Sequence, residues 1–320
     1  MVHKDCMVVM NNSTKRLARE PAANRTPFQR RRSVTGVLFL VPTMLLVGVF
    51  IVWPLIDVII LSFYDWNGVS TTMSFVGLEN FRSLTDLPGF WEMASGTVVY
   101  AAGVTALTVV ISFFVALGLD KKGKGRINRS FLRAMWFLPC LLSMMVVGIL
   151  WRIMYNYNTG VINNLLAAAG AKPVNWLETY GVTRWAIIVA SVWAQLGMCV
   201  VIFLAGLQSI PTELYEAAKI DGASGLQRFT NITFTMMAPS ITINVLTTSI
   251  TAFKMYELPL TVSNGLPGYH TRLLTQKIHD LGFKAIDLGR GSALSVVLIV
   301  VITVISIVQL TYLRRREDIY

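Results

Sequence analysis

The chain has 320 residues, of which 54% are apolar and only 14% charged, and its mean hydropathy is +0.58. That is too apolar for an ordinary soluble domain and points to a polytopic membrane protein. The net charge of +11 would suit a nucleic-acid partner, but the placement of the basic residues argues against one, as shown below.

Residues 1–32 are polar, end in Arg30-Arg31-Arg32 and contain no apolar core of signal-peptide type. They read as a disordered tail ahead of an uncleaved anchor. Beyond them, six stretches lack Asp, Glu, Lys and Arg: Ser33–Ile56, Met93–Leu119, Ala134–Trp151, Trp185–Thr212, Phe229–Phe253 and Gly291–Leu313. A spanning helix needs about 20 such residues. Six transmembrane helices are therefore expected near 36–60, 93–119, 132–155, 185–207, 237–260 and 291–313, giving an all-α fold over residues 33–320.

Pro42 and Pro54 are expected to bend the first span or to start and end its regular part, because proline lacks the N–H donor. Trp66, Trp151 and Trp185 fall at predicted span ends, where aromatic belts form. A short helix is predicted at Val161–Ala169 in the 156–184 loop, and a glycine-rich segment, 264–290, leads into the last span.

Orientation follows from the cations. With the N-terminus inside, 19 of the 28 Lys and Arg residues lie on the cytoplasmic side, including the turn Lys121-Lys122-Gly123-Lys124-Gly125-Arg126. This positive-inside bias places both termini in the cytoplasm. The basic clusters then read as topology signals beside anionic membrane lipid, with no nucleic acid implied.

Between spans 4 and 5 lies a polar island with four ionised side chains from Glu213 to Asp221. At the bilayer centre such groups cost roughly 2.5–3.5 kcal/mol each, so the island lies outside the membrane. Pro211 suits a first helical position, Glu213 the first turn, and Gly222 a terminator that tolerates positive φ. Ser224 with Gln227 is a capping-box pattern. Leu226, Phe229, Phe234 and Pro239 then lead the chain back to the membrane. Ala217 and Ala218 let another surface come close, beside the acceptor Glu216. A solvated loop of ordinary helix formers is equally compatible with these residues alone.

The string Glu216-Ala217-Ala218-x-x-Asp221-Gly222-Ala223, followed by Phe229 and Pro239, resembles the EAA loop of binding-protein-dependent ABC importer permeases. The resemblance extends from about Thr35 to Glu317. Phe75-Val76-Gly77-Leu78-Glu79-Asn80-Phe81 and Arg314-Arg315-Arg316-Glu317 are similar to the sugar-permease branch. Thr235 stands where the family often has proline, so the exit of the second loop helix is expected to be straighter. Asn264-Gly265-Leu266-Pro267 matches only loosely the Gly-Gly-Pro turn usual before the last span.

The resemblance implies a bacterial inner-membrane permease that forms half of a pathway for a carbohydrate, specifically an oligosaccharide. Glycerol-3-phosphate or a related polyol phosphate is the alternative cargo. It implies a second homologous permease, two ABC ATPases that carry the ATP and Mg, and an extracytoplasmic solute-binding protein. The 211–235 loop would couple to the ATPases through Glu216, Ala217, Ala218, Asp221, Gly222 and Ala223. The chain itself would be non-catalytic and hold no cofactor.

Other constellations carry less. Gly118-Leu119-Asp120-Lys121-Lys122-Gly123-Lys124-Gly125 approaches a P-loop but ends on glycine where Ser or Thr is required, and it follows a span instead of a strand. His3, His270 and His279 lack metal-ligand spacing, and Cys6, Cys140 and Cys199 form no CxxC pair. No catalytic constellation supports a membrane enzyme. A self-sufficient secondary transporter needs ionisable groups inside its spans, and these spans hold almost none. Trp193, Gln195, Asn244, Thr247, Thr248 and Tyr256 are the polar or aromatic groups that would line a substrate path. Helix-to-helix hydrogen bonding accounts for each of them as well. Asp57 marks the outer end of span 1, and Lys254 with Glu257 would pair across one helical turn.

Overall fold

A computed structural model describes residues 39–120, 129–265 and 267–317. The tail 1–32 and the basic turn at 121–126 lie outside the described residues. The chain divides into two units, Met1–Asp57 and Val58–Tyr320.

The first helix, α1, runs over Phe39–Leu61, and no residue in its apolar window is buried. It neither starts at Pro42 nor ends at Pro54. Instead a wide π turn, Gly48–Val52, directly precedes Pro54 and is closed by the Trp53 N–H donating to the Gly48 carbonyl. Pro54 cannot donate to the previous turn, and the widened turn absorbs that loss without ending the helix.

The second unit opens with a two-strand ribbon, β1 (Tyr64–Asp65) paired antiparallel with β2 (Ser74–Phe75). A short helix α2, Glu79–Arg82, follows. Its buried Asn80 donates through Nδ2 to the carbonyls of Ser62 (3.0 Å) and Tyr64 (2.8 Å), which pins the ribbon.

Two long helices form the axis of this unit: α3, Phe90–Asp120, and α7, Val182–Ser209. They run in the same direction. Tyr100 and Val104 meet Ile187 and Ile188 at one end, and Phe113 and Ala116 meet Phe203 and Leu204 at the other. Tyr100 Oη and Ser191 Oγ bond at 2.8 Å in the buried seam. The buried share of the most apolar window is 72% in α7 and 17% in the last helix, so α7 is the central span.

The third predicted span is one run in sequence but two helices in space. α4 (Arg129–Phe137) and its 3₁₀ extension Leu138–Leu141 meet α5 (Met144–Met154) at an angle of 101°. Pro139 supplies no N–H, Leu142 is extended, and Ser143 restarts the helix by accepting from the Val146 N–H. The break is pressed against α7 at Gly197. A Cβ there would lie 2.5 Å from the Trp136 carbonyl oxygen and 2.8 Å from Cys140 Sγ.

Helix α6, Val161–Ala168, stands where expected. Buried Asn163 uses its whole amide to hold the surrounding loop, bonding Tyr157, Val174 and the Trp176 indole. Trp151 is not purely interfacial: its ring packs on Tyr155 and Trp193.

The fifth span is also interrupted. α10 covers Ala238–Lys254, Met255 turns extended, and α11 restarts at Glu257–Ser263. Pro259 fits because the first turn of a helix has no intrahelical use for its N–H groups. The break separates Lys254 from Glu257, and no ion pair links them. The 264–290 segment holds a short helix α12, Leu274–His279, and a π turn Asp280–Lys284 before α13, Leu288–Glu317. Among the described residues, four long helices suit a membrane, or six if each bent pair is one span.

The contact at Gly197 makes a direct prediction. Gly197→Val should force the α4–α5 break off α7 and destabilise the protein by about 1–3 kcal/mol, the usual cost of overpacking. Thermal unfolding in detergent reads this, and a wild-type transition would refute the close approach.

Candidate functional site

The polar island folds as α8, Thr212–Ile220, and α9, Gly225–Arg228, joined at Gly222. Pro211 sits one residue earlier than expected, as the cap before the helix, with Glu213 in the first turn. Gly222 has φ +75°, a region in which a side chain is disfavoured. Around it the Ala223 N–H donates to the Ala218 carbonyl at 2.9 Å, and the Asp221 N–H to the Ala217 carbonyl at 3.0 Å. These bonds satisfy the carbonyls at the end of α8. Both halves of the capping box form: the Ser224 N–H donates to Gln227 Oε1 at 2.7 Å, and the Gln227 N–H to Ser224 Oγ at 3.3 Å.

With the backbone satisfied internally, the side chains are left outward. Glu216, Ala217, Asp221 and Gly222 are exposed, and Ala218 and Ala223 are half-buried. Among the described residues the ion pairs all fall between Arg272 and Arg290, so Glu213, Glu216, Lys219 and Asp221 are unpaired. Two apolar residues stand out beside them, Ile220 at 86% exposure and Leu226 at 72%. Leu226 does not pack with Phe229 against the buried cluster; it faces away from the core. The signal in sequence was a large apolar residue on each side of a polar turn.

The exit from α9 is not straight. The chain stays helical through a π turn, Phe229–Thr233, and Phe234–Met236, then bends by 57° into α10. The bend falls at Met237 and Pro239. A proline at Thr235 is unnecessary for a kink when Pro239 already removes a donor.

The predicted path residues separate into three places. Gln195, Thr247 and Thr248 line one cavity of about 210 Å³, together with Cys140, Met144, Met198, Cys199 and Thr251. Gln195 is only 9% exposed, and its Nε2 has no hydrogen-bond partner. Thr248 Oγ1 and Cys199 Sγ lie 3.4 Å apart. Asn244 is fully buried and donates to the Cys199 carbonyl at 3.4 Å, a helix-to-helix link beside the cavity. Trp193 belongs to the aromatic core with Trp151, at 5.9 Å between ring centres. Thr251 and Cys140 were missed. Thr251 lies one turn beyond Thr247, and Cys140 reaches the cavity only through the α4–α5 break.

Tyr256 is elsewhere, stacked on His279 at 4.9 Å, and His279 in turn faces Phe283 at 5.1 Å. Asp280 beside them pairs with Arg272 and, at 2.8 Å, with Lys284. Burial, with the Arg272 charge nearby, holds the Lys277 ammonium below its ordinary range. This cluster anchors the 272–290 segment. Among the described residues, no group of three His, Cys, Asp or Glu is placed to hold a metal.

These features, a kinked helical bundle with an exposed polar helix pair between two spans, define a membrane transport component. Residues 109–318 match the family model described as binding-protein-dependent transport system inner membrane component, and the chain belongs to that family. The trehalose/maltose transport system permease protein MalF of Thermococcus litoralis is 33% identical, over 90% of this chain and 96% of its own. The probable starch degradation products transport system permease protein AmyD of Thermoanaerobacterium thermosulfurigenes is 31% identical, over 88% and 94%. A bacterial alginate ABC transporter, solved in complex with an alginate pentasaccharide-bound periplasmic protein, has the same fold. Its TM-score is 0.80 at 21% identity, covering 92% of this chain and 99% of the other. The protein is a multi-pass membrane permease component.

The unpartnered Gln195 amide tests whether the cavity is structural. A buried polar group without a partner costs stability, so Gln195→Leu should leave the unfolding temperature unchanged or raise it. A loss above about 1 kcal/mol would show that the amide holds the fold, since that is the size of one made hydrogen bond.

Proposed function

We propose that this chain forms half of the translocation pathway of an ABC importer for a carbohydrate of oligosaccharide size. It would work beside a second homologous permease, two ATPase subunits and an extracytoplasmic solute-binding protein. The cargo class rests on the relatives, whose names specify trehalose/maltose and starch degradation products.

The observation that carries the mechanism is the capped loop around Gly222, with its exposed, unpaired charges and the apolar pair Ile220 and Leu226. Ala217 and Ala218 let an ATPase groove reach the α8 backbone, Glu216 and Asp221 supply charged acceptors, and Ile220 supplies apolar area. Gly222 and Ala223 hold the angle between the two short helices. The ATPases would bind and hydrolyse ATP with Mg; this chain would convert their closure into movement of its spans. The Gln195–Thr247–Thr248 cavity suits the hydroxyl groups of a sugar, since amide and threonine groups both donate and accept.

Both termini and the Glu213–Asp221 loop would be cytoplasmic. A cysteine introduced at Thr72 or Ala171 should react with an impermeant maleimide from outside, whereas one at Gly123 or Asp318 should not. External labelling at Gly123 would reverse the orientation.

The coupling role is tested by Glu216→Lys and Gly222→Val. The first reverses a charge on the docking surface, and the second places a β-branched residue at positive φ. Each should insert normally in the membrane, yet copurify with less ATPase or lose solute-stimulated hydrolysis. Wild-type uptake in the double variant would remove the coupling role.

A further inference from the structure

Tyr215 lies about 100° around α8 from the exposed Glu216. It is half-buried against the cluster at the loop end of the bundle, which contains Phe113, Phe203 and Met237. Its Oη lies 2.9 Å from Oγ1 of Thr233, which is 7% exposed. That bond crosses from α8 to the segment returning toward α10, 18 residues later. It is thus the polar tie between the exposed helix and the return arm.

The arm packs on the bundle's loop-end cluster, and two of its rings meet Phe113 there. Phe113 of α3 is 5.4 Å from Phe203 of α7 and 6.2 Å from both Phe229 and Phe234, all edge-on. Phe229 and Phe234 are five residues apart, which in an α-helix would place them about 140° apart around the axis. The π turn Phe229–Thr233, closed by the Phe234 N–H donating to the Phe229 carbonyl, brings them to the same side. Beyond the arm lies the 57° bend at Met237 and Pro239. The tie at Thr233 and the bearing at Phe229 and Phe234 thus share one π turn, directly ahead of the bend.

We propose that the Tyr215–Thr233 pair clamps α8 to the return arm, and that Phe229 and Phe234 bear on Phe113, so that displacement of the loop is delivered to α3 and α7. Tyr215 and Thr233 are then positioning residues for transport, distinct from the docking surface. This rests on the reading of the Glu216–Ala223 loop as the ATPase contact. Without the hydroxyl pair, α8 still docks, but its movement is taken up by the turn at Gly222 and the arm lags.

The test uses the complete importer in liposomes with its ATPases, sister permease and binding protein. Tyr215→Phe should keep ATPase copurification and solute-free hydrolysis at wild-type level. Solute-stimulated hydrolysis and uptake should fall about fivefold, the factor corresponding to the ~1 kcal/mol of one hydrogen bond. Thr233→Val should match it, Thr233→Ser should retain function, and the double variant should be no worse than either single change. Wild-type stimulated hydrolysis in Tyr215→Phe would overturn the proposal. So would parallel loss of association and stimulation, because the tie would then serve only to fold the docking helix. Glu216→Lys serves as the control: if it leaves ATPase association and uptake intact, the docking reading itself has failed, whatever Tyr215 does.

Discussion

The structure depends on how closely its neighbours can approach α7. Apolar helices in lipid gain nothing from hiding oily surface from water, so close packing and hydrogen bonds must hold them. α7 meets this demand with small residues on its buried side: Ala186, Ala190 and Ala194 recur at four-residue intervals and are nearly inaccessible. Gly197 then receives the α4–α5 break, and Gly206 receives Ser240 and Met237 of the chain entering α10. A larger residue at Gly197 would hold off the backbone of the α4–α5 break, and one at Gly206 would collide with the Ser240 and Met237 side chains. The cavity adjoins the same contact. Cys140, beside Pro139 at the break, and Met144, just past it, line the cavity with Gln195 and Thr248.

The loop between α7 and α10 works by a complementary rule. Every backbone group that a helix end leaves open must find a partner, and here the partners are local: Ala218, Ala217, Ser224 and Gln227 close both helices around Gly222. The side chains are thereby released from structural duty. Charged groups with no ion pair among the described residues, set beside exposed Ile220 and Leu226, are what a docking surface requires. Tyr215, on the half-buried side of the same helix, has the opposite character and packs against the bundle.

Much of this was legible in the sequence, for identifiable reasons. Charge-free runs mark spans because ions are costly in hydrocarbon, and α3 and α13 overrun theirs by a few residues while α7 is shifted three residues toward its N-terminus. The loop was legible because capping is local chemistry, written in Ser224, Gln227 and Gly222. The break at Pro139 was not, since it lies inside a charge-free run and composition does not distinguish one straight helix from two crossing at 101°; the break at Met255 was likewise hidden within the predicted 237–260 span. Pro54 misled in the other direction, because a π turn accommodates it. The path residues were half legible: Gln195 and Thr248 share a cavity, whereas Trp193 and Tyr256 stack on aromatic neighbours that are distant in sequence. Which polar group meets which is a property of packing, and no periodicity encodes it.

The central claim is that α8 is seated on an ATPase subunit in the working membrane. The most direct measurement replaces Cys6, Cys140 and Cys199, places a single cysteine at Ala218 or Ile220, and applies a short bifunctional crosslinker to membranes containing the whole transporter. The account predicts a covalent adduct with the ATPase subunit from both positions, with a yield that changes when ATP is added. It also predicts no ATPase adduct from Leu165, on α6 at the far end of α7. An absence of ATPase adduct from both loop positions in an actively transporting preparation would contradict it.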